Sequence, residues 1–474
     1  MAEPIRVAFV ALGCAKNLVD SEKMLAQLAE AGAVLTSEDT DADVVVINTC
    51  GFLAEARDEA YEEILHAINN KKMGYCRRVV VVGCLVQRDG TKLLEDFPEI
   101  DALVGVHNRD DVARAAMKPL APRTKSRKVR NKPDLYLGDY HPFVAVDTAR
   151  LRLTPPHYAY LRISEGCNQK CTFCTIPAIR GPMRCKPPEA VLAEARELIA
   201  DGAVELNLIG QDTTSYGADI GYEPGLAGLL RELDAVPGVG WLRLLYAYPS
   251  VFSDAMIDAM AECEHVVPYV DIPLQHINDR VLRAMGRRVT RKQTEALLAK
   301  LRDRIPGVTI RTTLIAGFPR ETKAEFKELL AFVREFGFDA LGVFPYSPEP
   351  DTPAGRMAGQ VPDEVREERM DALMAAQQDV VFARAKARIG EMLDVLTESE
   401  ATAEGGQLAR HAGQAPEVDG VTVLEGTAVA AGTFLRARCT GADGYDLQAS
   451  AADGTLAPSS KSQSVPGQKR ARNA

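Results

Sequence analysis

Three short runs of β-branched residues near the start of the chain constrain its fold most, because each ends at a cysteine and precedes a helical pattern. The runs are RVAFVALGC, DVVVINTC and RRVVVVGC, which end at Cys14, Cys50 and Cys84. Apolar strands that alternate with helices predict βαβ units and a parallel sheet covered on both faces. Right-handed crossovers bring the carboxyl ends of such strands to one edge. We therefore expect the three cysteines to converge and share a metal centre; the alternative is three unrelated thiols.

The middle of the chain repeats a strand and an amphipathic helix about six times, which predicts an incomplete (β/α)6 barrel of parallel strands. Its strands include YAYLRIS, VELNLIG, WLRLLYAYP, YVDIPLQ, TIRTTLIAGFP and DALGVFPYSP. Chemistry in such barrels takes place at the carboxyl ends of the strands. Four polar residues near these ends are candidates to position a substrate and could equally be structural: Asp271, Gln275, Arg311 and Tyr346.

These patterns predict a multidomain α/β protein. The expected parts are a Rossmann-like parallel α/β domain (1–110), a linker (111–157), the barrel with a long bridging helix (158–390), a small β-barrel (391–455) and a basic tail (456–474). The linker is rich in Lys, Arg and Pro, and its charge fits a solvated crossing between domains. The tail is rich in Ser, Pro, Gly, Lys and Arg, which predicts disorder.

The stretch SEGCNQKCTFCTIP contains three further cysteines, Cys167, Cys171 and Cys174, in C-x3-C-x2-C spacing. It follows the first barrel strand, so it opens onto the carboxyl face. Cysteine thiolates bind iron–sulfur clusters, and because a cubane has four irons, three thiolates leave one iron open. The alternative is a zinc site completed by a histidine or a distant cysteine.

Composition narrows the function further. The net charge of −10 does not favour a general nucleic-acid binder. No apolar run approaches a membrane span, and the N-terminus lacks a signal-peptide pattern, so we expect a cytoplasmic protein without a membrane partner. The cytoplasm is reducing, so the ten cysteines of this chain are expected to be free of disulfides. Four of them have no partner at ligand spacing and are expected to be buried hydrophobes: Cys76, Cys185, Cys263 and Cys439.

The C-x3-C-x2-C cysteines, with Phe173 before the last of them, closely resemble the signature of the radical S-adenosylmethionine superfamily. The resemblance implies a 4Fe-4S cluster on Cys167, Cys171 and Cys174. Its open iron would bind the amino and carboxylate groups of S-adenosylmethionine, which is then cleaved to a deoxyadenosyl radical. The same resemblance assigns cofactor contacts to residues around the cluster and at two later strand ends: Phe173, Gly210, Gln211, Asp212, Ile315 and Gly317.

The layout as a whole resembles the methylthiotransferases of that superfamily, which join an N-terminal cluster domain, a radical barrel and a C-terminal, OB-like TRAM domain. Cys14, Cys50 and Cys84 match the ligands of the second 4Fe-4S cluster one by one. The resemblance implies catalytic roles for all six cysteines and two equivalents of S-adenosylmethionine per turnover. One equivalent methylates sulfur, and the other yields the radical that opens an unactivated C–H bond. It also implies a sulfur donor and a reductant such as flavodoxin or ferredoxin.

Two branches of that family fit: the RimO type modifies an aspartate of ribosomal protein S-twelve, and the MiaB type modifies adenosine in tRNA. The stretch GCAKNLVDSE around Cys14 and the stretch GQAPEVDG (413–420) resemble the RimO type. Residues 391–455 hold three Arg and no Lys against eleven Asp and Glu, which suits a basic protein better than tRNA. The predicted substrate is therefore ribosomal protein S-twelve, free or in the small subunit. Alternatives are tRNA and, more remotely, a non-catalytic iron–sulfur sensor or RNA-binding protein.

Overall fold

The three cysteine-ending runs form adjacent strands of one parallel sheet in a computed structural model, which describes residues 3–120, 132–141, 144, 146–402, 406–426 and 428–455. The strand order is β2-β1-β3-β4-β5-β6. The strands are β1 (Arg6–Ala11), β2 (Val34–Thr36), β3 (Val44–Thr49), β4 (Arg78–Gly83), β5 (Ala102–Gly105) and β6 (Asp134–Tyr136). The helices of this part are α1 (Ala15–Glu30), α2 (Ala54–Met73), α3 (Cys84–Asp89), α4 (Leu93–Asp96) and α5 (Val112–Ala116).

Both faces of this sheet are covered, as the continuous apolar runs predict. Val45 and Ile47 of β3 contribute to the apolar core on one face, whereas Val44 and Val46 contribute to the core on the other. All four side chains are buried, because successive residues of a strand point to opposite faces. The carboxyl ends of β1, β3 and β4 therefore meet at one edge, and each is followed by its cysteine.

Strand β6 lies inside the range 111–157 that the sequence predicts as a linker. Its residues pair in parallel with β5, Ala102 opposite Asp134 and Val104 opposite Tyr136. Helix α5 also buries Val112 in the core of this part. Part of the expected linker is thus built into the N-terminal sheet. Its most basic stretch, 121–131, and the predicted tail, 456–474, lie outside the described residues.

The central part forms an open six-stranded parallel sheet in the order β14-β13-β12-β11-β10-β7. The strands are β7 (Tyr158–Arg162), β10 (Glu205–Ile209), β11 (Trp241–Leu244), β12 (Val266–Asp271), β13 (Thr309–Ala316) and β14 (Ala340–Pro345); β8 (Ser164–Glu165) and β9 (Arg184–Cys185) form a separate antiparallel pair. The helices are α6 (Ile176–Arg180), α7 (Pro188–Ala200), α8 (Gly225–Asp234), α9 (Asp254–Glu262), α10 (Asp279–Ala284), α11 (Arg291–Arg304), α12 (Lys323–Phe336) and the bridging helix α13 (Asp363–Ala387). Leu206 and Leu208 belong to the large core formed with the helices, so Glu205, Asn207 and Ile209 of β10 face the interior.

The C-terminal part is a closed barrel of five strands: β15 (Met392–Thr397), β16 (Gly406–His411), β17 (Thr422–Glu425), β18 (Phe434–Asp443) and β19 (Asp446–Thr455). The segment 412–420, between β16 and β17, contacts the inner side chains of the central sheet. The hydroxyls of Tyr158 and Tyr160 each donate to Glu417 at 2.9 Å, and that of Tyr269 donates to Asp419 at 2.7 Å. This segment therefore fills the end of the central barrel where its strands begin.

Trp241 and Phe434 form the apolar part of the same junction. Their rings meet edge to face with centroids 5.1 Å apart, and Trp241 is completely buried. We expect Phe434→Ala to lower the free energy of unfolding by about 3–5 kcal/mol, since it leaves a cavity beside a large aromatic side chain. Urea denaturation measures the effect. The control Phe344→Ala removes a ring that is 49% exposed and should change the value by less than about 0.5 kcal/mol; equal losses in both variants would contradict the docking.

Among the residues that the structure describes, no helix combines the length and apolar character needed to cross a bilayer.

Candidate active site

The cysteine group Cys167, Cys171 and Cys174 lies on the loop between β8 and α6, at the carboxyl end of the central strands. The loop is anchored at Thr172, which donates its N–H to the carbonyl of Met285 at 2.9 Å and its hydroxyl to that of Ala284 at 2.8 Å. All three cysteines are half-buried. The loop therefore holds three thiols at the face where the sequence predicts chemistry.

The thiols of this loop have to lose their protons before they can bind a metal. Burial, with a smaller contribution from the neighbouring thiols, raises the pKa of Cys167 to about 12 and that of Cys174 to about 12. Arg287 lies with Nη1 3.7 Å from Cys171 Sγ and is stacked on the ring of Tyr248. Metal binding requires deprotonated cysteines, so occupation of this loop would displace those protons.

The first predicted cofactor strand end contacts the cysteine loop directly. Gln211 donates from Nε2 to Glu165 Oε1 at 2.8 Å, and Gln169 donates from Nε2 to Asp212 Oδ2 at 2.8 Å. Both oxygens of Asp212 are engaged, because Thr214 Oγ1 donates to its Oδ1 at 2.7 Å. A Cβ on Gly210 would lie 2.5 Å from a serine hydroxyl of the neighbouring strand, which explains the glycine.

The second predicted strand end lies beside the same loop. Phe173 and Ile315 both pack on one apolar cluster with Phe318 and Tyr346. Gly317 has φ +75°, and a Cβ there would lie 2.3 Å from Arg366 Cγ, so this turn needs a residue without a side chain. The predicted cofactor contacts thus gather at one end of the barrel; that each of them binds S-adenosylmethionine stays a prediction.

Cys14, Cys50 and Cys84 also converge, as the strand topology predicts. A Cβ on Gly13 would lie 3.0 Å from the Cβ of Cys50, and a Cβ on Gly51 would lie 2.9 Å from the backbone of Cys84. Burial raises the pKa of Cys50 and raises that of Cys84 to about 12. Protein around the Cys14 thiol raises its pKa too, but the charges of Lys16 and Arg180 and nearby N–H groups outweigh this and lower it.

Arg180 connects the two cysteine groups. It closes the short helix that follows the first group (Cys167, Cys171 and Cys174), and its Nη2 lies 3.2 Å from the Sγ of Cys84, a member of the second group (Cys14, Cys50 and Cys84). The same guanidinium donates to Asn17 Oδ1 at 2.6 Å, to Asp20 Oδ2 at 3.0 Å and to both oxygens of Glu165 at 3.0 Å. Arg180 is 1% exposed. Removing one member of a buried, hydrogen-bonded charge network costs about 3–5 kcal/mol, so this contact fixes one cysteine group against the other.

Both groups of cysteines offer thiols, which are the usual ligands of an iron–sulfur cluster. Within the described residues, no three His, Cys, Asp or Glu side chains are close enough together to hold one metal ion. Each thiolate of a cubane binds a different iron, so the three thiols that hold a cluster lie further apart than three ligands of a single ion. Among the described residues, the buried amide atoms without a hydrogen-bond partner include Oε1 of Gln211 and both Oδ1 and Nδ2 of Asn207. Buried polar groups are normally hydrogen-bonded, so a polar ligand inside the barrel would satisfy them.

The four strand-end candidates take part in structural contacts. Asp271 accepts from the N–H of Tyr246 at 3.1 Å and from Arg311 Nη1 at 2.9 Å. Arg311 also pairs with Asp419 of the C-terminal part, at 3.5 Å. Gln275 has φ +72° and bridges to β13, and Tyr346 packs against Phe318. A role for any of them in positioning a substrate stays a prediction.

Sequence reasoning missed five residues that shape this site: Lys16, Asn17, Asp20, Glu165 and Arg180. Each lies near a cysteine in the chain, so proximity to a ligand was the available signal. Their contacts join segments more than a hundred residues apart, which local pattern does not reveal. The cysteines predicted to be structural, in contrast, are all buried as expected: Cys76, Cys185, Cys263 and Cys439.

Three family models match the chain in the order of its parts. Residues 6–105 match the uncharacterized protein family UPF0004, residues 161–333 match the radical SAM superfamily, and residues 389–451 match the TRAM domain. The central domain is thus a radical S-adenosylmethionine domain, which uses an iron–sulfur cluster and S-adenosylmethionine. Among solved structures, the radical S-adenosylmethionine methyltransferase TsrM from Kitasatospora setae has a TM-score of 0.53 at 16% identity, over 74% of this chain and 77% of that chain. That similarity supports the fold.

Curated relatives extend over nearly the whole chain. It is 45% identical over 443 residues to the ribosomal protein uS12 methylthiotransferase RimO of Anaeromyxobacter sp. (strain K), covering 93% of this chain and 92% of that relative. It is 42% identical over 446 residues to the protein of the same name from Pelotomaculum thermopropionicum, covering 94% and 98%. Because both the identity and the coverage are high, the chain belongs to the RimO family of ribosomal protein uS12 methylthiotransferases.

Proposed function

We propose that this protein replaces a hydrogen on the β-carbon of an aspartate of ribosomal protein uS12, the S-twelve of the sequence prediction, with a methylthio group. The observation that carries the proposal is its near full-length similarity to relatives named for this activity. When bound, the iron–sulfur clusters and S-adenosylmethionine supply the radical that removes the hydrogen and the methylated sulfur that replaces it. A base of ordinary pKa cannot remove a proton from such a carbon.

We assign the radical-generating cluster to Cys167, Cys171 and Cys174. Three thiols on one loop leave a coordination position for S-adenosylmethionine. The partnerless Oε1 of Gln211 faces a buried setting and is a candidate acceptor for the cofactor's amino group. Asp212 holds the loop through Gln169.

We assign the sulfur-delivering cluster to Cys14, Cys50 and Cys84. The open position that three thiolates leave would take the sulfur to be methylated, so one equivalent of S-adenosylmethionine would serve the methylation and a second equivalent would serve the radical. Arg180 supports this assignment, since its contact with Cys84 places the second group next to the loop of the first. The reaction also needs a sulfur donor and a reductant, for which flavodoxin or ferredoxin is the expected class, and we place it in the cytoplasm with the ribosome.

The charge of the C-terminal part favours a protein substrate over tRNA. Residues 391–455 carry eleven Asp and Glu against three Arg. Of those three, Arg410 is buried in ion pairs with Glu205 and Glu398, both at 2.6 Å, so it is not available to a phosphate backbone. Nucleic-acid binding relies on accessible positive charge, whereas an acidic surface attracts a basic ribosomal protein.

A reconstituted reaction tests the proposal. The full-length protein, loaded with iron and sulfide, is incubated with uS12, S-adenosylmethionine and a reductant. We expect a methylthiolated aspartate, together with deoxyadenosine and S-adenosylhomocysteine as the two by-products. Deoxyadenosine without any sulfur-containing product on uS12 would leave the radical activity and refute the methylthiotransferase activity.

A further inference from the structure

Lys16 is a buried cation beside the cysteines of the second group. It is the second residue of α1, directly after the loop that carries Cys14, and it is 7% exposed. Its Nζ lies 3.1 Å from the centre of the Tyr246 ring. Tyr246 follows β11 at the carboxyl end of the central strands, so the side chain of Lys16 crosses from the N-terminal domain to the face of the barrel that holds the other cysteines.

The ammonium group of Lys16 has no carboxylate partner among the described residues, and the anionic group near it is the Cys14 thiolate, whose pKa its charge lowers. Within the described residues, neither an ion pair nor a hydrogen bond is formed by its Nζ, although the nearby Arg180 is paired with both Asp20 and Glu165. A buried charge is costly unless a counter-charge accompanies it, and an aromatic ring compensates only in part. A buried ammonium without a carboxylate partner is therefore suited to an anionic ligand that arrives from outside.

The backbone of Tyr246 has an unusual conformation that hydrogen bonds from its neighbours stabilise. Its φ is +60°, which is rare for a residue with a side chain. The N–H of Tyr246 donates to Asp271 Oδ2 at 3.1 Å, and its carbonyl accepts from Thr213 N at 3.2 Å and from Thr213 Oγ1 at 3.1 Å. Strained backbone that neighbouring groups fix in this way is concentrated at functional sites. The ammonium group of Lys16 thus packs on the ring of a residue whose backbone is fixed.

We infer that Lys16 binds the carboxylate of the aspartate side chain that is modified. The inference rests on the proposed function, because the same carbon must meet both the radical and the sulfur. That carbon has to be within reach of both cysteine groups, and the contact between Lys16 and Tyr246 joins the helix that follows Cys14 to the carboxyl end of a barrel strand. In aspartate the carboxylate is bonded directly to the β-carbon, so an ammonium here would hold the reacting carbon in place. Lys16 is accordingly a positioning and specificity residue.

A double-mutant cycle between Lys16 and the target aspartate tests this role. The full-length protein, with clusters reconstituted and S-adenosylmethionine omitted, binds purified uS12 in its natural form and with the target aspartate replaced by asparagine. We expect the wild-type protein to bind the natural form roughly tenfold or more tightly, since hydrogen bonds to charged groups are the stronger ones. With Lys16→Met the two forms should bind equally, and Lys16→Arg should restore part of the preference.

The matched control is Lys23→Met. Lys23 lies seven residues further along the same helix, is half-buried and donates to the carbonyl of Thr148 at 2.7 Å. This variant should retain the wild-type preference. If the Lys16→Met protein keeps the preference, so that its binding to both forms of uS12 weakens equally, Lys16 is structural and the inference is wrong.

The wild-type protein alone also tests the inference, without depending on how the variants fold. Equal binding of the two forms of uS12 to the wild-type protein would overturn the role of Lys16. If the wild-type protein methylthiolates uS12 and yet binds both forms equally, only this inference fails. If it does not modify uS12 at all, the proposed function itself fails.

Discussion

Cys171→Ala is expected to abolish deoxyadenosine formation and to leave about half of the wild-type iron. The variant removes one of three thiolates from the loop after β8, and two thiolates no longer hold a cubane in the open-iron arrangement. The second group lies in another domain, on the strand ends of the N-terminal sheet, and keeps its ligands. Iron analysis and chromatography of the nucleoside products measure the two effects.

The matched control is Cys263→Ala, which removes a buried thiol of the same domain. It should retain wild-type iron and deoxyadenosine formation. Loss of all iron from Cys171→Ala would contradict two independent clusters. Unchanged deoxyadenosine formation would contradict the assignment of this loop.

Cys50→Ala is expected to abolish methylthiolation while deoxyadenosine still forms. Cys50 follows β3, and its side chain packs against Gly13, the residue before Cys14. The change removes one of three ligands of the sulfur-delivering cluster and leaves Cys167, Cys171 and Cys174 intact. The measurement is mass spectrometry of uS12 after incubation, with deoxyadenosine measured in the same sample.

For this second variant, Cys76→Ala is the matched control, because Cys76 is a buried cysteine of the same domain. It should still give methylthiolated uS12. If Cys50→Ala gave methylthiolated product, sulfur would reach the substrate without the second cluster, and the assignment of Cys14, Cys50 and Cys84 would be wrong.

The features that could be predicted, the strands and the cysteine positions, depend on local sequence patterns. The continuous apolar runs predict the strands of both parallel sheets, and the right-handed crossover rule then brings Cys14, Cys50 and Cys84 to one edge. The spacing of Cys167, Cys171 and Cys174 is local as well. Strand β6 escaped this reasoning, because three residues in a basic, proline-rich stretch carry no periodic signal.

The unpredicted part depends on contacts between distant segments. Arg180 is separated from Asn17 by more than a hundred residues, and Glu417 from Tyr158 and Tyr160 by more than two hundred. The sequence does not reveal which charged side chains are buried together, because side chains of these types are usually exposed on the surface. The segment 413–420 resembled the RimO type as a motif, but its place against the barrel strands follows only from tertiary packing.

The central claim is that this protein methylthiolates an aspartate of ribosomal protein uS12, and mass spectrometry of cellular material tests it most directly. Ribosomal proteins and tRNA nucleosides are compared between cells that contain the gene for this chain and cells that lack it. We predict a methylthio mass on one aspartate of uS12 that disappears with the gene, while the methylthiolated nucleosides of tRNA stay unchanged. An unmodified uS12 in both cells, with a methylthiolated adenosine lost from tRNA, would contradict the claim.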